Sequence, residues 1–234
     1  MDQLPLQLES YPLELRKEIQ SVVAELLQSP PVPPGDNPQP TFSQTGELKK
    51  LPELTVSIIG VSGRPHSGKD VFADYLLSHY QGVARLNFSD PIIAEANRWL
   101  ALKGRRITAA NKSNPLHRRL LQLWGRSRRF ECEQYWVRSL HQAVQDAQKE
   151  SQLVIVAGVR AESDLALIEQ IGGICLRVTR PGNPYRAEDP IEAALDCHLG
   201  RMTELFNPAE DDLGPYILNI EALIEELSIN PAPS

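Results

Sequence analysis

Cysteine is scarce in this 234-residue chain: Cys132, Cys175 and Cys197 form no C-x-x-C pair and leave an odd thiol over. That excludes a disulfide framework and fits buried thiols in a reducing compartment. No apolar run approaches the length that spans a bilayer. The N-terminus carries acidic Asp2 and has no apolar h-region of a signal peptide. These absences together predict a soluble, cytoplasmic protein with no membrane partner. Acidic residues are nearly missing from one segment. Arg98–Arg138 holds eleven Lys/Arg and two Asp/Glu, whereas the rest of the chain holds thirteen basic and twenty-eight acidic residues. A basic island in a protein of net charge −6 marks an anion site, and the acidic remainder argues against nucleic acid as that anion.

What is present is enough for one α/β domain with an appendage, since 41% of the residues are apolar. Only the stretch before residue 50 reads as too polar and proline-rich to share in a core. Within it, Pro12–Gln28 has an amphipathic helical stripe of Leu15, Ile19, Val22, Val23, Leu26 and Leu27. Pro30, Pro31, Pro33, Pro34, Pro38 and Pro40 then favour an extended spacer. The expected organisation is a helical arm over 1–29, a proline-rich linker over 30–50 and the main domain over 51–230.

In that domain strands and helices alternate. Strands are expected at Thr55–Gly60, Val83–Phe88, Leu153–Ala157, Ile174–Val178 and Tyr216–Ile220. Helices are expected at Lys69–Tyr80, from Asp90-Pro91 with Asp90 as N-cap, at Glu133–Lys149 and at Ser163–Ile171. Strands separated by helices imply βαβ units and a parallel sheet of about five strands covered on both faces.

Gly63-Arg-Pro-His-Ser-Gly68-Lys69 fits G-x-x-x-x-G-K directly after one of these strands and directly before a helix. Glycines let the backbone curl so that successive N–H groups point at phosphate oxygens. The helix N-terminus adds partial positive charge, and Lys69 reaches the β- and γ-phosphates. The candidate ATP-binding residues are therefore Gly63, Arg64, Pro65, His66, Ser67, Gly68, Lys69, Asp70 and Val71. Ser or Thr usually follows the lysine and ligates magnesium; Asp70 stands there instead, a hard oxygen donor and the candidate metal ligand.

The G-K-D loop followed by Val71-Phe-Ala-Asp-Tyr-Leu76 resembles that of the deoxynucleoside monophosphate kinases. Further blocks follow in that family's order: Phe88-Ser-Asp90-Pro91, Leu121–Gly125 with Arg128-Arg129, Tyr135-Trp136-Val137, Val159-Arg160 with Asp164 and Gly172-Gly173, Arg177–Gly182, and Tyr216–Leu227. The resemblance spans residues 54–228. It implies a P-loop NTPase-type three-layer α/β fold that transfers the γ-phosphoryl of ATP, with magnesium, to a deoxynucleoside monophosphate. It also implies that Arg180 lies on a lid and that Asp90 contacts the acceptor's sugar or base. Three polar positions depart from the pattern: Val71 replaces Thr, Gly158 replaces an acid, and Arg126-Ser127 replaces Thr-Glu. A divergent enzyme with relocated ligands would look like this. So would a nucleotide-binding protein without turnover, whose N-terminal helix docks a protein partner or a second copy.

Phosphoryl transfer needs cations and positioning rather than a nucleophilic side chain. Lys69, Arg129 and Arg160 are the catalytic candidates. Arg128, Arg138, Arg180 and Asp90 are the substrate-binding candidates, because guanidinium groups grip phosphate in bidentate fashion. Trp136 is expected in the core and Asp164 as a first-turn carboxylate or an outer acid of the metal site.

Overall fold

The computed structural model describes residues 8–30, 42, 47–64, 66–108, 111–112, 114–132, 134–182, 195–208 and 212–228. They fall into two compact units, one drawn from Met1–Gln39 with Ser89–Leu140, the other from Pro40–Phe88 with His141–Ser234.

The second unit is a five-stranded sheet in the order β2-β3-β1-β4-β5, parallel throughout. Its strands are β1 (Ile58–Gly63), β2 (Val83–Asn87), β3 (Leu153–Ala157), β4 (Ile174–Thr179) and β5 (Thr203–Phe206). The central strands β1 and β3 are almost wholly buried, as their continuous apolar runs require of a sheet covered on both faces. On one face Ile59, Val61, Ile155 and Val178 pack with Phe72, Ala73 and Leu76 of α2 (Lys69–His79) and with Tyr216, Ile220 and Ile224 of a C-terminal helix. On the other face α6 (Glu162–Gln170) lies tight on β1. A Cβ on Gly60 would stand 2.9 Å from Ile168 Cγ1, so only glycine permits that approach. The result is the expected three-layer α/β fold.

Two expectations fail here. Tyr216–Ile220 is not a strand but part of the C-terminal helix α7 (Gly214–Leu227). Proline in its first turn starts it, and Tyr216, Ile220, Leu223 and Ile224 recur at helical spacing to form one buried stripe. The fifth strand is instead Thr203–Phe206, an edge strand with Leu205 alone buried and hence no apolar signature. The first strand also starts at Ile58 rather than Thr55. Among the thiols, Cys175 is buried, Cys132 half-buried and Cys197 exposed.

The first unit is helical: α1 (Leu13–Gln28), α3 (Asp90–Ala101), α4 (Pro115–Glu131) and the first part of α5 (Tyr135–Ala147). The stretch before residue 50 does share in a core, contrary to expectation. Tyr11, Leu15, Ile19, Val22, Val23 and Leu26 pack in one cluster with Trp99, Leu100, Leu120, Leu123, Trp124 and Trp136. Burial of each such aliphatic side chain contributes roughly 1.5–3 kcal/mol. Arg105 donates to the carbonyls of Leu27 (3.2 Å) and Ser29 (2.5 Å) and so caps the end of α1. Glu18 of α1 faces Arg119 at 3.9 Å and Arg126 at 3.7 Å. One acid of the arm thus faces two arginines of the basic island.

Asp90 is the first residue of α3, and Ser89 holds the N-cap position assigned to Asp90 from the sequence. Asn114 caps α4, its side chain accepting from the Leu116 and His117 amides. Trp136 is buried and donates to the Gly125 carbonyl at 3.0 Å, a core residue rather than a stacking platform.

Candidate phosphate-binding site

The loop between β1 and α2 is held by its glycines and by donors from distant parts of the chain. Gly63 has φ +145° and Gly68 φ +106°, conformations that strain any residue with a Cβ. A Cβ on Gly68 would also meet Asn207 Nδ2 at 2.6 Å, and one on Gly63 would meet the Val178 carbonyl at 2.6 Å. His66 adopts φ +61°, the single non-glycine residue of positive φ among the described residues. Three successive carbonyls are turned onto side chains. Arg180 Nη1 donates to His66 O (3.2 Å), Asn207 Nδ2 to Ser67 O (2.9 Å) and Tyr216 Oη to Gly68 O (3.2 Å). Within the loop the Ser67 amide donates to the Arg64 carbonyl (3.2 Å), and a curled glycine loop at a helix start is the kind of backbone that forms an anion nest.

Lys69 opens α2, and its ammonium bridges the carbonyls of Gly63 (2.6 Å) and Arg64 (2.5 Å) across the loop. Val71 is half-buried against the core cluster, so it supports the loop from below and offers no polar contact. Pro65 lies outside the described residues. Behind the loop, buried Arg177 of β4 donates to Ser62 Oγ (3.1 Å) and pairs with Asp196 (2.6 Å), which also faces Arg64 at 3.5 Å. Burial raises the Tyr216 hydroxyl's pKa, which keeps it a neutral donor.

The other candidates divide between the units. Arg160 leaves the carboxyl end of β3 and Arg180 that of β4, both exposed, at the sheet edge where ligands of open α/β folds sit. Arg128, Arg129, Arg138 and Asp90 belong to the helical unit. Arg128 is engaged there: it contacts Glu95 at 2.5 Å and Glu131 at 2.7 Å and lies 5.3 Å over the Tyr135 ring. Tyr135 in turn donates to Glu95 at 2.9 Å. Arg128 thus ties α3 to α4, and as a clamp for a monophosphate it would first have to leave two carboxylates. Arg138 is exposed and Arg129 half-buried.

The acids named for the metal site have protein partners. Asp70 is ion-paired with Arg85. Asp164 is buried and one of its carboxylate oxygens accepts from the amides of Arg160 (3.1 Å) and Ala161 (3.0 Å), which makes it the cap of α6. Gly158 brings no ligand, and the described residues hold no group of three or more His, Cys, Asp or Glu fit for a metal.

Arg85, Asp74, Asn207, Arg177 and Asp196 were not singled out in the sequence. Polar Arg85 and Asn87 alternating through the apolar run Val83–Phe88 are the one local signal among them. The rest depend on partners far away in the chain.

The family model for phosphomevalonate kinase matches residues 61–173, from the phosphate loop through α6. No curated protein matches the sequence. An unliganded sugar kinase structure from a Janibacter species covers 76% of this chain and 97% of its own at 16% identity, with a TM-score of 0.39. That structural likeness is too slight to bear on function. The family match supports kinase-type phosphotransfer and does not extend to a deoxynucleoside monophosphate as acceptor. No described helix is long and apolar enough to cross a membrane.

Proposed function

We propose that the chain is a phosphotransferase that moves the γ-phosphoryl group of ATP onto the phosphate of a small phosphomonoester, giving a diphosphate and ADP. The observation that carries this is the loop after β1, with glycines in positive φ at both ends and Lys69 folded across it. On nucleotide entry the Lys69 ammonium exchanges the Gly63 and Arg64 carbonyls for β- and γ-phosphate oxygens, as its place in the loop dictates. An acceptor phosphate oxygen then attacks the γ-phosphorus in line, and the bond to the β–γ bridging oxygen breaks. Lys69, Arg160 and Arg180, all of the sheet unit, are the candidates to answer the equatorial charge. Magnesium enters with ATP.

For the acceptor, the match over residues 61–173 favours phosphomevalonate. The order of sequence blocks supports a deoxynucleoside monophosphate as second reading. An ADP-release assay with phosphomevalonate and each of the four deoxynucleoside monophosphates tests both. ADP release above the acceptor-free rate with phosphomevalonate alone supports the first reading. Release with a deoxynucleotide alone replaces it by the second.

A further inference from the structure

In a loop of this kind the residue after the lysine normally presents a hydroxyl to magnesium. Here it is a carboxylate, and a carboxylate beside a triphosphate repels it unless a cation stands between them. The chain carries such a cation itself. Arg85, on β2, pairs with Asp70 through one terminal nitrogen and with Asp74 through the other, the latter at 2.8 Å. Asp70 and Asp74 are four residues apart on α2 and share a face, so one guanidinium bridges both. Arg85 and Asp74 are largely enclosed, their side chains 20% and 25% exposed, whereas that of Asp70 is 76% exposed. The pair is therefore anchored from the sheet side, with Asp70 at its open end. A guanidinium's planar fork suits two carboxylates better than an ammonium would.

We infer that Arg85 is the resident counter-cation of the phosphate loop: it neutralises Asp70, keeps that carboxylate from serving as a metal ligand, and lets ATP bind without a divalent cation. This rests on the reading of residues 63–69 as a triphosphate site. Magnesium needs compact oxygen ligands in near-octahedral array. To use Asp70 it would have to displace a guanidinium pinned at two points, and Asp164 and Gly158 provide no second anchor. Arg85 is a positioning residue in this scheme. It acts on phosphate through Asp70.

Calorimetric titration of the full chain with ATP, in EDTA and in excess magnesium, tests the inference. The parent should bind with the same affinity in both buffers, within about twofold. Arg85→Gln should weaken binding in EDTA on the order of tenfold or more, as expected for loss of a charge-assisted contact. Magnesium should recover much of that loss, because the bared Asp70 can then take the metal. Arg85→Lys should fall between, and the double variant Asp70→Asn with Arg85→Gln should bind in EDTA like the parent. A merely structural Arg85 would not move the magnesium dependence, and the double variant keeps the test intact should Arg85→Gln fold poorly. Tenfold weaker binding by the parent in EDTA overturns the inference, as does parent-like binding by folded Arg85→Gln in EDTA. If the folded parent binds no ATP in either buffer, the triphosphate reading itself falls and takes the inference with it.

Discussion

Removing Lys69 should separate stability from binding. Its ammonium rests on two loop carbonyls that water can serve equally well, so Lys69→Ala should change unfolding free energy by no more than about 1 kcal/mol. ATP affinity should drop at least about tenfold, since a charge-assisted contact to phosphate is lost. Calorimetry and urea unfolding on the same preparation check both, and an unchanged affinity would remove the lysine from the phosphate site. Asn207 behaves in the opposite way. Asn207→Ala strips the buried Ser67 carbonyl of its donor and should cost about 1–3 kcal/mol of stability while loosening the loop. Cys175 sets a pH limit. Burial, with Glu169 nearby, pushes its thiol up to about 12, whereas an unfolded thiol titrates near 8.5. The unfolded chain therefore loses the proton first. The contribution is intact below about pH 8.5 and declines as pH rises toward 12, by about 2 kcal/mol at pH 10. Urea midpoints at pH 8 and pH 10 should show a smaller decline in Cys175→Ala than in the parent.

At the scale of elements, α1 decides whether the helical unit holds together. Ile19 and Leu26 are each 1% exposed within the cluster that contains Trp99 and Trp124. Ile19→Ala should cost about 2–5 kcal/mol, and deletion of the arm should cost more. A melting temperature unaltered by Ile19→Ala would put the helix outside the core after all. This element also marks where the sequence stops being legible. The amphipathic stripe of α1 is plain, but which surface it meets depends on α3 and α4, some eighty to a hundred residues on, and the prolines after it draw the eye to a boundary instead. The β1–loop–α2 segment reads correctly because glycine conformation, the lysine and the helix start are all local. Leu153–Ala157 reads correctly because a fully buried strand needs five apolar residues in a row. Thr203–Phe206 does not, since an edge strand with one buried side chain has no such requirement, and Tyr216–Ile220 misleads because aromatic and β-branched residues suit a strand until Leu223 and Ile224 complete a helical stripe. Arg85 was hidden for the same reason as the contacts of α1: its meaning comes from Asp70 and Asp74 on another element.

For the whole molecule, the sheet unit carries the phosphate loop with Lys69, Arg160 and Arg180, and the helical unit carries Arg128, Arg129, Arg138 and Asp90. The basic island is less exposed as charge than its composition implies, for Arg119 and Arg126 face Glu18 while Arg128 lies between Glu95 and Glu131. Phosphorus NMR of ATP with phosphomevalonate and with the deoxynucleoside monophosphates, for parent and Lys69→Ala, follows donor and product phosphates in one tube. The parent should turn an acceptor monophosphate resonance into a diphosphate pair as the γ-phosphate resonance of ATP declines in step, and Lys69→Ala should leave both unchanged. A parent spectrum that keeps every acceptor as monophosphate, from protein that binds ATP, would contradict phosphotransfer; equal conversion by Lys69→Ala would contradict its assignment to this loop.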